Sequence, residues 1–205
     1  MSKLVCELCG KEYEDRHKCK RGVNDIADYL ELRQIINLVI DAEVCYPWQP
    51  SLAVRDMGLL AALALTGMRI SELLSVEKAR VDVQKEAVWI RNVKILKRRK
   101  EPVYKDFFMP REGVLAPLTE LFIKHLDQVK KGPIFDISRG RAWQIVKGST
   151  GKWCHFFRSQ RLSFLVNKFR STVIVGDMQG IKKPDTVAHY FKGGADHYQE
   201  ELTPR

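Results

Sequence analysis

Residues 52–65 read Leu-Ala-Val-Arg-Asp-Met-Gly-Leu-Leu-Ala-Ala-Leu-Ala-Leu, a run too apolar to lie on a surface and shorter than the ~20 residues that cross a bilayer. A helix of this kind has to be surrounded by the rest of the chain, so it sets the centre of the core. Thr66-Gly67 closes it, because glycine accepts the backbone turn that ends a helix. A second helix is expected from about Arg69 to Ser75, with Arg69 in its first turn and Glu72 three residues later on the same face.

The chain has 205 residues, a length that suits one domain with a small appendage, and its 45% apolar content rules out general disorder. Ile26, Tyr29, Leu30, Ile35, Ile36, Leu38, Val39 and Ile40 recur at helical spacing, giving one or two helices before Pro47 and Pro50 break the chain. Residues 87–97 and 103–109 are instead β-branched and alternating. Between them stand Lys97-Arg98-Arg99-Lys100-Glu101, so the pair reads as a hairpin with a basic tip, closed by Pro110. Helical spacing returns at 115–129, 139–147, 154–169, 173–179 and 183–190. The fold class is therefore mainly α with a small antiparallel β-hairpin or sheet, an α+β arrangement.

No run reaches bilayer length and the first residues lack a signal-peptide core, so a cytoplasmic location is expected. Three of the five cysteines fall in the first twenty residues, and a reducing compartment favours metal ligation over disulfides. Cys6-x2-Cys9-x7-His17-x-Cys19 offers two close pairs of the donors that Zn2+ prefers. Such a unit is too small to hold together without its metal, so the zinc would be structural. The expected layout is a zinc knuckle or ribbon over 1–22 and a main domain over 23–205, with a tail at 191–205. Cys45 and Cys154 read as ordinary buried thiols.

Lysine and arginine number 35 against 25 acidic residues, a net charge of +10 that makes a polyanion the natural partner. Arg69, Lys97, His155, Arg158 and Tyr190 form a set able to hold, neutralise and attack one phosphodiester. Arginine forks grip phosphate oxygens and keep their charge, a tyrosine supplies the nucleophile, and a lysine or histidine can deliver a proton to the leaving oxygen.

Thr66-Gly67-Met68-Arg69-Ile70-Ser71-Glu72-Leu73 resembles the first conserved box of the tyrosine recombinases, T-G-[LM]-R-x-S-E-L, and His155-Phe156-Phe157-Arg158 resembles their H-x-x-R box. A tyrosine follows 32 residues after Arg158, and a basic hairpin lies between the boxes. The resemblance covers about residues 24–195, the catalytic domain of that family, preceded here by the zinc-binding module. It implies that Arg69 and Arg158 clamp the scissile phosphate, with Glu72 bracing the site. His155 would orient the phosphate or manage a proton, and Tyr190 would attack to give a 3′-phosphotyrosyl link and a free 5′-hydroxyl. The implied function is a site-specific DNA recombinase or integrase acting on double-stranded DNA as a dimer or tetramer, with no cofactor for the chemical step.

The family's lysine lies near the tip of the first hairpin strand; Lys97 is preferred, with Lys94 and Lys100 as alternatives. Tyr198 is the competing nucleophile. Aligning Met178-Gln179-Gly180 with the family's L-G-[HW] segment puts Ile181 where a histidine or tryptophan normally donates to the phosphate, and Lys182 or His189 would have to substitute. The family's helical core-binding domain of roughly one hundred residues is replaced by some twenty, which would weaken the grip on DNA because fewer phosphates are neutralised. These departures keep open an inactive, DNA-binding or regulatory descendant, and, more remotely, a zinc-dependent interaction adaptor.

Overall fold

The computed structural model describes residues 4–5, 12–13, 30–42, 49–95, 103–181, 183–188 and 190. The short strands β1 (Leu4–Val5) and β2 (Glu12–Tyr13) pair antiparallel, Val5 opposite Glu12. Cys6, Cys9, His17 and Cys19 lie outside the described residues. After α1 (Leu32–Ile40), the chain enters α2 (Pro50–Thr66), which opens on Pro50 at a position where a missing N–H costs nothing.

Every residue of α2 from Gly58 to Thr66 is buried, as its composition requires. Helix α4 (Ala116–Gln128) lies along it. The approach depends on Gly58, since a Cβ there would stand 2.6 Å from the Cβ of His125. His125 is itself buried; it stacks on Phe135 at 4.7 Å and donates through Nε2 to the Ile134 carbonyl at 2.6 Å. Helices α5 (Arg139–Thr150) and α6 (Cys154–Phe169) pack on the C-terminal half of α2, and α1 closes another side. Leu30 donates its backbone N–H to Gln160 of α6 at 2.9 Å, tying the start of this domain to its middle.

The sheet has three strands, β3 (Val81–Val83), β4 (Ala87–Ile95) and β5 (Val103–Pro110), in sequential antiparallel order. The third strand, β3, is too short to leave a periodic signature, so the sequence announces only the β4–β5 hairpin. Pairing shifts by one residue between Ile90 and Val93, a bulge centred on Asn92, whose φ is 51°. The side chain of Asp106 accepts the Asn92 backbone N–H at 2.8 Å. The extra residue resets the alternation, so that Val93 and Ile95 are buried and Lys94 is exposed.

Past α6, helices α7 (Thr172–Met178) and α8 (Pro184–Ala188) build a second apolar cluster from Leu162, Leu165, Val166, Val175 and Val187. Ile181 and Tyr190 pack against it. Lys105 of β5 reaches Asp177 of α7 at 2.6 Å and links the sheet to this subcluster. Among the described residues no helix is long and apolar enough to cross a membrane.

Candidate active site

The end of α2 and the middle of α6 meet at a glycine. Gly67 holds φ at 64°, where its N–H caps Leu63 O at 3.0 Å, and a Cβ on it would lie 2.9 Å from Cβ and Cγ of Arg161. Only glycine satisfies both the left-handed backbone and that close approach. The turn leaves the Gly67 carbonyl facing α6, where it accepts Arg158 Nη1 at 2.7 Å.

Arg158 is 2% exposed. Besides Gly67, its guanidinium touches the Gln179 side-chain oxygen at 3.5 Å and the Gln179 carbonyl at 3.4 Å. Among the described residues no carboxylate forms an ion pair with it. Burial, and then the Arg69 charge, lower its pKa to about 10, while Glu72 and Tyr190 act in the opposite direction. It stays cationic at neutral pH and lacks a counter-ion in contact.

Arg69 is the N-cap of the short α3 (Ile70–Leu73) and so precedes its first turn by one residue. The buried carboxylate of Glu72 makes both contacts that fix it, accepting the Arg69 backbone N–H at 2.9 Å and Nη1 at 2.7 Å. The carboxylate thus satisfies an orphan helix-terminal donor and orients a guanidinium at the same time. The arginine side chain remains 36% exposed, facing the same cavity as Arg158.

His155 lies one turn before Arg158 on α6 and opens onto that cavity. Desolvation lowers its pKa below the ordinary histidine value, and the Arg158 and Arg69 charges lower it further. A neutral imidazole therefore stands beside two guanidinium groups. Tyr190 follows α8, its backbone N–H bonded to Val187 O at 2.9 Å. It is half-buried against the second apolar cluster.

A cavity of about 500 Å³ is lined by Arg69, His155 and Arg158 together with Arg139, Trp143 and Trp153. Cys154 borders it too and is half-buried, with burial pushing its thiol pKa up. Of the six expected site residues, Arg69, His155 and Arg158 line this cavity and Glu72 holds Arg69, whereas Tyr190 packs on the second apolar cluster and is not among the residues that line it. Lys97 lies outside the described residues, as do Lys100, Lys182, His189 and Tyr198. Ile181 turns its side chain to the second apolar cluster, where it supports the tyrosine segment and donates nothing.

Gln179 is the residue that the sequence did not single out. It is buried, touches Arg158, and donates Nε2 to the Thr66 carbonyl at 3.1 Å, so one amide joins α2, α6 and the end of α7. Its position beside Gly180 gives it no chemical signature. Trp143 and Trp153 were also unmarked, since an isolated tryptophan reads as core until its exposure is known.

Residues 30–193 match the family model described as "Phage integrase family". No curated protein matches the chain in sequence. Among solved structures it is similar to the XerH site-specific recombinase bound to difH substrate in a pre-cleavage complex, at 16% identity and a TM-score of 0.60, over 83% of this chain and 51% of that one. The XerA recombinase gives 16% identity and a TM-score of 0.60, over 87% and 64%. The Tn1549 transposon integrase in complex with circular intermediate DNA gives 13% and 0.57, over 86% and 65%. The chain spans about half the length of the XerH protein. The likeness to these structures is one of fold, and it covers a mostly helical domain with a small antiparallel sheet.

Proposed function

The chain belongs to the phage integrase family, and from that premise we propose that it breaks and rejoins double-stranded DNA through a 3′-phosphotyrosyl intermediate. The observation that carries the reading is Arg158, a buried guanidinium that among the described residues contacts no carboxylate and that shares one cavity with Arg69 and His155. A buried cation held only by neutral acceptors is costly, and a phosphodiester would supply an anion.

In the proposed reaction the Tyr190 hydroxyl loses its proton and its oxygen bonds to phosphorus. The bond from phosphorus to the 5′-oxygen breaks, and that oxygen takes a proton and leaves as a 5′-hydroxyl. Arg69 and Arg158 offset the charge that grows on the non-bridging oxygens. Glu72 holds the Arg69 guanidinium in place, and the Gly67 carbonyl holds that of Arg158. Neutral His155 is suited to take the phenolic proton or to orient a phosphate oxygen.

The leaving oxygen's proton is assigned to Lys97. The support is the sequence, in which Lys97 stands where the apolar strand gives way to the basic tip, while Lys94 is exposed on β4.

The reverse reaction, with a second 5′-hydroxyl as nucleophile, rejoins strands without ATP because the phosphotyrosyl link preserves the phosphodiester's energy. Pairing of two sites would call for a dimer or tetramer on DNA, which mass measurement of the complex would test. A structural Zn2+ held by Cys6, Cys9, His17 and Cys19 completes the proposal. Its support is the donor chemistry and the spacing of those four residues in the sequence. Elemental analysis of the purified protein should find one zinc per chain, lost in Cys6→Ser.

The direct test of the catalytic reading uses a duplex nicked close to the scissile position. Wild type and Tyr198→Phe should form a covalent complex that survives denaturing electrophoresis, while Tyr190→Phe and Arg158→Ala should not. A complex that persists in Tyr190→Phe would sink the assignment of the nucleophile.

A further inference from the structure

The cavity is larger and more aromatic than a phosphate clamp requires. Trp143, 52% exposed, and Trp153, 42% exposed, line the same cavity as Arg69 and Arg158. Trp153 is held edge-on to Phe156, with ring centres 6.3 Å apart, so its plane is fixed by the protein before anything binds. Arg139 and Trp143 are four residues apart on α5 and share one face, which puts a cation and a free indole side by side at the rim. Exposed indoles are costly in water, and two lining one cavity add apolar surface that neither the core nor the phosphate chemistry uses.

We propose that Trp143 and Trp153 form a stacking subsite for an unpaired nucleobase next to the phosphate held by Arg69 and Arg158, with Arg139 on the following phosphate. This rests on the strand-cutting reading and extends it from the phosphate to the base. Charge complementarity selects the occupant: a flat apolar ring bonded to anions suits a cavity lined by two indoles and three guanidinium groups, whereas an apolar peptide would supply no anion to them. Single-stranded nucleic acid is commonly gripped by this pairing of aromatic platform and cationic track. The chemical consequence is local. A base drawn out of the helical stack lets the backbone bend toward Tyr190 and positions the scissile phosphorus by its neighbour.

The probe is fluorescein-labelled hexathymidylate, compared with a base-free hexamer of the same phosphates built from tetrahydrofuran nucleotides. Trp143→Ala should weaken hexathymidylate binding about tenfold, on the scale of one lost stacking contact, without changing the slope of log K against log salt. Trp143→Phe should restore most of the loss. The base-free hexamer should bind both proteins alike, and Arg139→Ala should shallow its salt slope. Arg158→Ala should weaken both probes, placing them in this cavity. Equal weakening of both probes by Trp143→Ala, no weakening of either, or no hexathymidylate binding by folded wild type would each overturn the proposal. The covalent trap reads the cutting function separately, so a protein that forms the adduct but is indifferent to Trp143 fails here alone.

Discussion

Gln179→Leu isolates the one side chain that connects three elements under the active site. Leucine keeps the branch volume and removes the amide, so the packing around Val175 and Met178 is largely retained. The Thr66 carbonyl, one of the last four of α2 and therefore without a partner inside the helix, loses the Gln179 donor now at 3.1 Å. Leaving a buried carbonyl unsatisfied costs about 1–3 kcal/mol. The contact to Arg158, at 3.5 Å, is too long to add much, and the 2.7 Å bond to Gly67 O survives. For a chain of this size the loss corresponds to a melting point lower by roughly 2–12 °C.

Gln179→Glu makes the complementary change. It places a carboxylate beside Arg158, whose pKa should then rise above about 10, and it competes with phosphate for the same guanidinium. Thermal unfolding followed by circular dichroism, together with covalent trapping well below the melting point, separates the two. Gln179→Leu should lose stability with trapping reduced little, whereas Gln179→Glu should lose trapping by more than Gln179→Leu at any given stability. A Gln179→Leu protein that melts within about 1 °C of wild type would refute the claim that this amide carries the α2 terminus. The reverse order of trapping would refute the electrostatic argument.

Other expectations follow from the same geometry. The His155 ring should titrate below the usual histidine value by NMR, and in Arg69→Ala its pKa should move up, because one of the two repelling charges is gone; no movement would refute a contribution from Arg69. Gly67→Ala should cost about 2 kcal/mol or more in urea unfolding, from the left-handed backbone alone about 1–2 kcal/mol, with the Arg161 collision added, and it should also lower trapping by displacing the carbonyl under Arg158. His125 has its pKa lowered mainly by burial, so the unfolded chain takes up its proton first as pH falls. Stability should therefore drop as pH falls below about 6.5, the unfolded histidine value, and a chain with His125→Phe should show a flatter profile there.

Much of the fold is legible because the signals are local. The apolar run 52–65, the proline at its start and the glycine after it mark α2 within a residue or two, and the spacing of α6 is found at its observed limits, Cys154–Phe169. The two boxes identify Arg69, Glu72, His155 and Arg158 because their chemistry and their helical spacing coincide. Other features escape such reading. The bulge at Asn92 turns Lys94 outward by one inserted residue, which a period-two pattern cannot announce in advance. Strand β3 is three residues long and exists because β4 is there to pair with it. Arg69 is a cap and not a first-turn residue, since Glu72 supplies the acceptor its backbone N–H needs.

The sequence by itself determined a buried central helix, a mainly helical domain with a small sheet, and the identity of the charged groups, because side-chain type and spacing act over one or two turns. Only the tertiary structure decided that Gln179, 113 residues from Thr66, would join that residue to Arg158, that Ile181 would serve the core beneath Tyr190, and that two tryptophans would stand open in the same cavity as the arginines. Such contacts depend on where whole elements lie relative to one another, and that placement is set by packing around α2 and by the close approach at Gly67.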